Sequence, residues 1–325
     1  MLTHGLKASE RFFFAAGQLN NELPMNPSII YGAGCQGIAL LRLLQQKPET
    51  PAVQCFIDGH PAKQGQTVEG LPVHPPDYLL SIADQEPTVA VAVGGHYPTV
   101  RRLLERLGLE ENRHFYDATP RPLCYRDLEP DFATLRDRVR RHTLVSEDRL
   151  ALLHQLTRQA RSVAGDLVEI GVYRGGTALL MAETLGDSTQ QLHLFDTFCG
   201  MPASNPVIDL HRSGDFADTS IEAVSALLSD HANVHLHPGL FPDSLPRDWA
   251  NKRFALVHVD VDIYASALAC CRFFYPRLSP GGAMIFDDYG FPSCPGVRLA
   301  VDEVCRHRNL QPLYLPSGQA LIYNR

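Results

Sequence analysis

The stretch that most constrains this chain is Phe254-Ala-Leu-Val-His-Val-Asp-Val-Asp-Ile-Tyr264, echoed by Gly281-Gly-Ala-Met-Ile-Phe-Asp-Asp-Tyr-Gly290. Each is an apolar run rich in Val, Ile, Phe and Ala that ends in carboxylates. Such a run does not alternate, so it predicts a strand covered on both faces, as in a parallel sheet. The acids then stand at the strands' carboxyl ends, the edge at which open α/β sheets bind ligands. Asp260, Asp262, Asp287 and Asp288 would converge there, repel one another and call for a shared cation. Taken singly, each acid reads equally well as a turn former or a helix N-cap. Two acid-tipped strands separated by one helix-length segment, 265–278, favour Asp260, Asp287 and Asp288 as a metal-binding set. Oxygen ligands suit Mg²⁺, with Mn²⁺ or Ca²⁺ as alternatives, and the lack of a His/Cys ligand cluster argues against zinc.

At 325 residues the chain suits two domains, each able to bury its own core. With 36 acidic and 29 basic residues, a net charge of -7 and no long Lys/Arg run, it does not suit nucleic acid or an anionic membrane. Eight cysteines without CxxC spacing read as reduced thiols of a cytosolic protein. Charges interrupt the first residues where a signal peptide needs its apolar region, and no run is long enough to span a bilayer. The expected location is the cytoplasm.

Residues 1–24 form an extension, and 25–120 read as a Rossmann-like domain. The short strand Ser28-Ile-Ile-Tyr31 runs into Gly32-Ala-Gly-Cys-Gln-Gly37 and then a helical pattern, so Gly32, Gly34 and Gly37 sit where a phosphate approaches a helix N-terminus. A second strand ends in Asp58, the position of a ribose-binding acid. A hairpin over 65–73, a strand over 88–93 and an amphipathic helix from Thr99 complete the unit. The run Phe56-Ile-Asp-Gly-His-Pro-Ala-Lys-Gln-Gly65 with Gly70-Leu-Pro-Val73 resembles the small N-terminal domain of sialic-acid O-acetyltransferase-type sugar acyltransferases. That resemblance implies binding of a nucleotide-activated amino sugar. Three readings stay open: a nucleotide or nucleotide-sugar site, a structural or dimerising module, and a redox cofactor site, for which the domain is short.

Residues 121–164 read as a linker and helical lid. Two prolines open it, a basic helix follows over 132–141, and Ser146 stands as N-cap before Glu147 and Asp148. The cluster Arg136, Arg138, Arg140 and Arg141 reads as a solvated face.

From 165 to 325 the chain again begins strand, glycine turn, helix, as Asp166-Leu-Val-Glu-Ile-Gly-Val-Tyr-Arg-Gly-Gly-Thr-Ala-Leu-Leu180. The spacing Glu169, Gly171, Gly175 differs from the dinucleotide fingerprint and matches the ligand turn of class I methyltransferases. Gly171, Tyr173 and Gly175 would bring backbone amides to the carboxylate of S-adenosylmethionine, with Glu169 facing its methionine part. Asp196, at the end of the next strand, would accept from ribose hydroxyls, and a third strand, 233–238, would end at Gly239 near adenine. The segment 313–323 reads as a closing hairpin.

Five ordered motifs now carry a family resemblance: Val168-Glu-Ile-Gly-Val-Tyr-Arg-Gly-Gly176, Phe195-Asp-Thr-Phe-Cys-Gly-Met-Pro202, Pro238-Gly-Leu-Phe-Pro-Asp-Ser-Leu-Pro246, His258-Val-Asp-Val-Asp-Ile-Tyr264 and Asp287-Asp-Tyr289. Together they resemble the macrocin O-methyltransferases, magnesium-dependent enzymes that methylate sugar hydroxyls of macrolides, aminocoumarins and other glycosides. The resemblance implies a mostly parallel seven-stranded α/β sheet, a homo-oligomer, metal carboxylates at Asp260, Asp287 and Asp288, and a cofactor acid at Asp196. It also implies a histidine base in the loop 205–215, which selects His211, with Asp262 as second candidate. His258 reads as a core histidine. The attached first domain points toward a surface glycan rather than a macrolide. Two other classes compete: an NAD(P)-dependent nucleotide-sugar oxidoreductase, which leaves Asp287 and Asp288 unexplained, and a non-catalytic scaffold, which leaves the intact site unexplained.

Overall fold

The computed structural model describes residues 27–46, 52–120 and 122–324. The chain divides into two compact units, the first ending at Leu128 and the second starting at Glu129.

The first unit contains β1 (Ile29–Tyr31), α1 (Cys35–Gln45), β2 (Cys55–Ile57), β3 (Thr67–Val68), β4 (Leu71–His74), α2 (Tyr78–Ser81), β5 (Val89–Val91), α3 (Tyr97–Arg106), β6 (Phe115–Asp117) and α4 (Tyr125–Leu128). Its strands lie in the order β3-β4-β2-β1-β5-β6, parallel except for the β3–β4 hairpin. Every residue of β1, β2 and β5 is buried, as a sheet covered on both faces requires. Leu40, Leu41 and Leu44 of α1 cover Ile30 and Phe56 on one side, while Leu79 and Leu104 cover Ile29 and Ile57 on the other. The hairpin turns at Glu69 and Gly70, whose φ values of 50° and 80° suit a two-residue turn between twisted strands.

The second unit contains α5 (Pro130–Val139), α6 (Glu147–Ala160), β7 (Asp166–Ile170), α7 (Gly176–Leu185), β8 (Leu192–Asp196), α8 (Ile221–Leu227), β9 (Val234–Pro238), β10 (Phe254–Val259), α9 (Tyr264–Phe274), β11 (Leu278–Phe286), α10 (Pro295–His307), β12 (Leu313–Tyr314) and β13 (Ala320–Tyr323). The strand order is β12-β13-β11-β10-β7-β8-β9, with β13 antiparallel to both of its neighbours, β11 and β12, and the other pairings parallel. This is the α/β class and seven-stranded sheet expected above. Phe254, Phe274 and Phe286 are fully buried in its core.

Helices α5 and α6, read from the sequence as part of a linker and helical lid, fall in the second unit. Phe132, Leu135 and Val139 of α5 and Leu150, Leu153 and Leu156 of α6 are buried. Apolar side chains at helical spacing need a covering partner, and pattern alone does not say which unit supplies it.

Candidate active site

Strand order reverses between β7 and β10, and ligands of open parallel sheets bind outside the strand ends at such a point. The two strand ends touch here. The Asp260 amide donates to Ile170 O at 2.9 Å. Gly171 has φ +88°, and a Cβ on it would collide with the Asp260 carbonyl oxygen. Glycine at this position is therefore set by backbone approach as well as by the turn. Gly175, at φ +84°, is the residue before α7 and faces Val224 and Leu227.

The amides expected to receive a ligand carboxylate are already committed. Gly171 N donates to Phe195 O and Gly175 N to Val172 O, each at 2.9 Å. The turn is instead pinned by Asp196, whose Oδ2 accepts from Val172 N at 2.7 Å and Tyr173 N at 2.9 Å, and whose Oδ1 accepts from Phe198 N at 2.7 Å. A carboxylate offers about four acceptor positions, so Asp196 retains capacity for one more donor. Tyr173, at φ 52°, sends its hydroxyl to Asp218 at 3.0 Å. Gly239 N donates to the Asp196 carbonyl at 2.8 Å, which brings the end of β9 beside the turn.

Three of the four acids stand together, and the fourth has other partners. Asp260, Asp262 and Asp288 each offer an oxygen, all within 4.8 Å of one another. Burial and the adjoining carboxylates push Asp260 and Asp288 well above the usual carboxylate range, and burial raises Asp262 as well. Asp288 Oδ2 is buried without a hydrogen-bond partner. Asp287 is held apart from this trio by other partners. Its Oδ2 accepts from Arg149 Nη1 of α6, and its Oδ1 accepts from Gln319 Nε2 at 2.7 Å. Burial works to raise Asp287, but His258, Arg149 and Gln319 outweigh it and hold the group low. Ser146, expected to cap α6, instead accepts from Arg149 Nε at 3.1 Å and bonds Asp148, so its hydroxyl steadies the arginine.

Glu169 does not face the cleft. It is fully buried, and its Oε1 lies 2.9 Å from His258 Nδ1, while His258 Nε2 lies 3.7 Å from Asp287 Oδ1. The register explains this, because Glu169 of β7 and His258 of β10 are direct neighbours across the ladder. His258 is the core histidine expected, but a charged one. Burial opposes its protonation, and the carboxylates of Asp287 and Glu169 overcome that and raise its pKa to about 9.

His211 lies beside Asp262. Its Nε2 is 3.7 Å from Asp262 Oδ1, and its Nδ1 is 3.4 Å from Asp215 Oδ2. The loop reaches that place through buried Asp209, whose Oδ1 accepts from Tyr264 N at 2.8 Å and whose Oδ2 accepts from Asn205 N at 3.0 Å. Asp209 thus ties the loop to the start of α9. Asp262 itself has φ 58°, a left-handed conformation seldom taken outside glycine and costing on the order of 1–3 kcal/mol.

The glycine turn, Asp196, Arg149 and the four acids line a cleft of about 1050 Å³, open to solvent; His211 stands behind Asp262 and is not part of its lining. Asp196, Gly171 and Tyr173 form one wall, Gly239, Leu240 and Phe241 a second, and the acids with Arg149 the floor. Residues 133–314 match the family described as Macrocin-O-methyltransferase (TylF).

The chain belongs to that family. It is 37% identical over 171 residues to the 8-demethyl-8-(2,3-dimethoxy-alpha-L-rhamnosyl)-tetracenomycin-C 4'-O-methyltransferase of Streptomyces olivaceus, covering 47% of this chain and 64% of that protein. It is 33% identical over 182 residues to the Mycinamicin III 3''-O-methyltransferase of Micromonospora griseorubida, covering 50% of this chain and 69% of the relative. The match to the first relative thus spans a little under two thirds of its length. Among solved structures, the O-methyltransferase NovP superposes with a TM-score of 0.50 at 29% identity, over 57% of this chain and 82% of that one. The family match falls within the second unit.

In the first unit, Gly32 has φ +113°, and a Cβ there would stand 2.6 Å from Ala92 O; one on Gly37 would collide with Gly32 O. Asp58 repeats the role of Asp196: Oδ2 accepts from Ala33 N at 2.9 Å and Lys63 Nζ at 2.8 Å, and Oδ1 from His60 N at 2.8 Å. Lys63 Nζ also lies 3.6 Å from where a Cβ on Gly34 would be.

Arg149, Gln319, Cys294 and Asp209 were not singled out from the sequence. Glu169 and His258 carried a usable signal, since each is a titratable residue flanked on both sides by apolar residues within a strand. For the other four, only the tertiary structure supplies the neighbour that gives them a role.

Proposed function

We propose that this protein transfers a methyl group from S-adenosylmethionine to a hydroxyl of a sugar or glycoside, with a divalent cation at the acid floor. The observation that carries the reading is the trio Asp260, Asp262 and Asp288, whose oxygens gather in one cleft with Asp196 and the glycine turn. The names of the relatives, which act on rhamnosyl-tetracenomycin and mycinamicin substrates, support a sugar hydroxyl as acceptor.

The donor set fits a hard cation. All the ligand atoms are oxygens, Asp288 Oδ2 lacks a partner, and the raised affinity of Asp260 and Asp288 for protons marks missing positive charge. Asp260, Asp262 and Asp288 would hold it, with Asp287 adjoining through its pairing with Arg149. A Mg²⁺ ion there would acidify an acceptor hydroxyl and cancel the repulsion among the carboxylates. Mn²⁺ fits the same ligands.

His211 is the proposed base. Asp215 holds Nδ1 as the protonated nitrogen, which leaves the Nε2 lone pair facing the acids. S-adenosylmethionine would supply the methyl group and keep the departing electron pair on sulfur, and His211 Nε2 would take the proton from the acceptor hydroxyl. Asp262, 3.7 Å away, stabilises the imidazolium that results. Asp196 uses its remaining acceptor position on the donor's ribose, and Leu240 and Phe241 supply an apolar wall for adenine.

The first unit is assigned a nucleotide or nucleotide-sugar role, supported by the glycine turn Gly32, Gly34, Gly37 with Lys63 beside it.

Calorimetry with S-adenosylmethionine and with NAD(H), each with and without EDTA, tests the whole reading. Binding of NAD(H) alone would overturn it. His211→Ala and Asp262→Asn, assayed separately at saturating Mg²⁺, test the base; if neither slows methyl transfer, the proton goes elsewhere.

A further inference from the structure

Overlapping the acid trio at Asp262 is a second ligand set, completed by Cys294, which the proposed methyl transfer does not use. His211, Asp262 and Cys294 each present one ligand atom, all within 4.8 Å of one another. Cys294 Sγ lies 3.3 Å from Asp262 Oδ1, and His211 Nε2 lies 3.7 Å from the same oxygen. In tetrahedral zinc with bonds of about 2.0 Å to N and O and about 2.3 Å to S, the N···O and S···O edges are roughly 3.3 and 3.5 Å. The three side chains thus stand close to three corners of such a tetrahedron. They come from a loop, the connection between β10 and α9, and the residue that precedes α10, so no local turn brings them together.

A second observation concerns the far side of the imidazole. His211 Nδ1 faces Asp215 Oδ2 at 3.4 Å, and the Asp215 carboxylate is itself anchored by Arg212 N at 2.9 Å. A carboxylate behind a ligating histidine is the usual outer support of zinc sites, because it fixes the tautomer and aims the free lone pair at the metal. The sequence held no visible His/Cys ligand cluster; the fold assembles one.

We infer that His211 Nε2, Asp262 Oδ1 and Cys294 Sγ form a transition-metal site that takes Zn²⁺, with a solvent molecule in the fourth position, and that filling it stops methyl transfer. Imidazole and thiolate select zinc or cobalt over magnesium. On binding, the Cys294 S–H proton leaves to solvent as the Zn–S bond forms, and nothing is oxidised or reduced. Zinc consumes the Nε2 lone pair of the proposed base and draws Asp262 away from the acid trio. The site shares Asp262 with the acid trio, and its occupancy is read from the spectrum alone, whereas the inhibition rests on the methyltransferase reading.

The test adds Co²⁺ to the full chain saturated with Mg²⁺. The expected result is a thiolate-to-cobalt charge-transfer band with the strong visible absorption of tetrahedral cobalt, both abolished by excess Zn²⁺. Cys294→Ser removes the charge-transfer band, and His211→Gln and Asp215→Asn weaken Zn²⁺ binding, the latter by about 10–100-fold. Should Cys294→Ser fail to fold, His211→Gln, on the partly exposed loop, decides alone. A wild-type spectrum without the band, a band that survives Cys294→Ser, or a Zn²⁺ affinity unchanged in His211→Gln overturns the site. In the activity arm, Zn²⁺ inhibits the wild type in excess Mg²⁺, a chelator reverses it, and Cys294→Ser resists. Equal inhibition of Cys294→Ser overturns the inhibitory role. A protein with no methyl transfer even without zinc indicts the methyltransferase reading, while the spectrum still decides the site.

Discussion

Replacing His258 by Leu removes the one positive charge between Glu169 and Asp287, and the cost can be worked out from the buried geometry. Both ends of the His258–Glu169 pair have no solvent exposure and lie 2.9 Å apart. Breaking such a pair leaves a sealed carboxylate without a counter-charge, a loss of about 3–5 kcal/mol. That is a large share of the roughly 5–15 kcal/mol that holds a domain folded. The pKa gives a parallel figure. A rise from 6.5 to about 9 corresponds to about 3 kcal/mol at 1.36 kcal/mol per unit. Because the folded pKa is raised, this stabilisation is complete below pH 6.5, erodes as pH climbs, and is gone above about pH 9.

The chain's only tryptophan, Trp249, is buried in the second unit against Phe254, so its fluorescence reports unfolding of that unit alone. Urea unfolding followed this way should show His258→Leu down by several kcal/mol at pH 6. The double variant Glu169→Met/His258→Leu should recover much of the loss and show no downward slope between pH 7 and 9. A His258→Leu loss below about 1 kcal/mol, or a double variant no more stable than the single, would refute the claim that the pair is charged.

Asp260 and Asp288 make the opposite prediction for pH. Their folded pKa values are raised, so without a divalent ion the protein should gain stability as pH falls from 8 toward 5, and saturating Mg²⁺ should flatten that slope; a thermal scan with and without EDTA measures both. Asp288→Asn should raise the melting temperature in EDTA, by relieving repulsion, and abolish the further rise on adding Mg²⁺. Asp196→Asn removes an acceptor from a turn that uses three amide donors, so calorimetry should show S-adenosylmethionine binding weakened at least about tenfold, the equivalent of one charge-assisted hydrogen bond. Gly171→Ala should destabilise the second unit and abolish binding of the methyl donor, because the new Cβ meets the Asp260 carbonyl; unchanged binding would show that β7 and β10 can part.

The sequence by itself determined the strands and their polarity. Unbroken apolar runs such as 254–259 have no solvent face to offer, and a glycine turn followed by a helical pattern leaves a parallel crossover as the way back to the sheet. That is enough to place Asp260, Asp262, Asp287, Asp288 and Asp196 on one edge. What an edge position does not settle is which neighbour each side chain meets. Only the tertiary structure decided that Arg149 and Gln319 take Asp287 out of the acid trio, that Glu169 turns inward to His258, that α5 and α6 close onto the second unit, and that a loop tied down by Asp209 sets His211 against Asp262 and Cys294. Periodicity reports how a residue stands relative to its own element. Charge pairing and ligand geometry depend on residues tens of positions away, and strand register and packing alone bring those together.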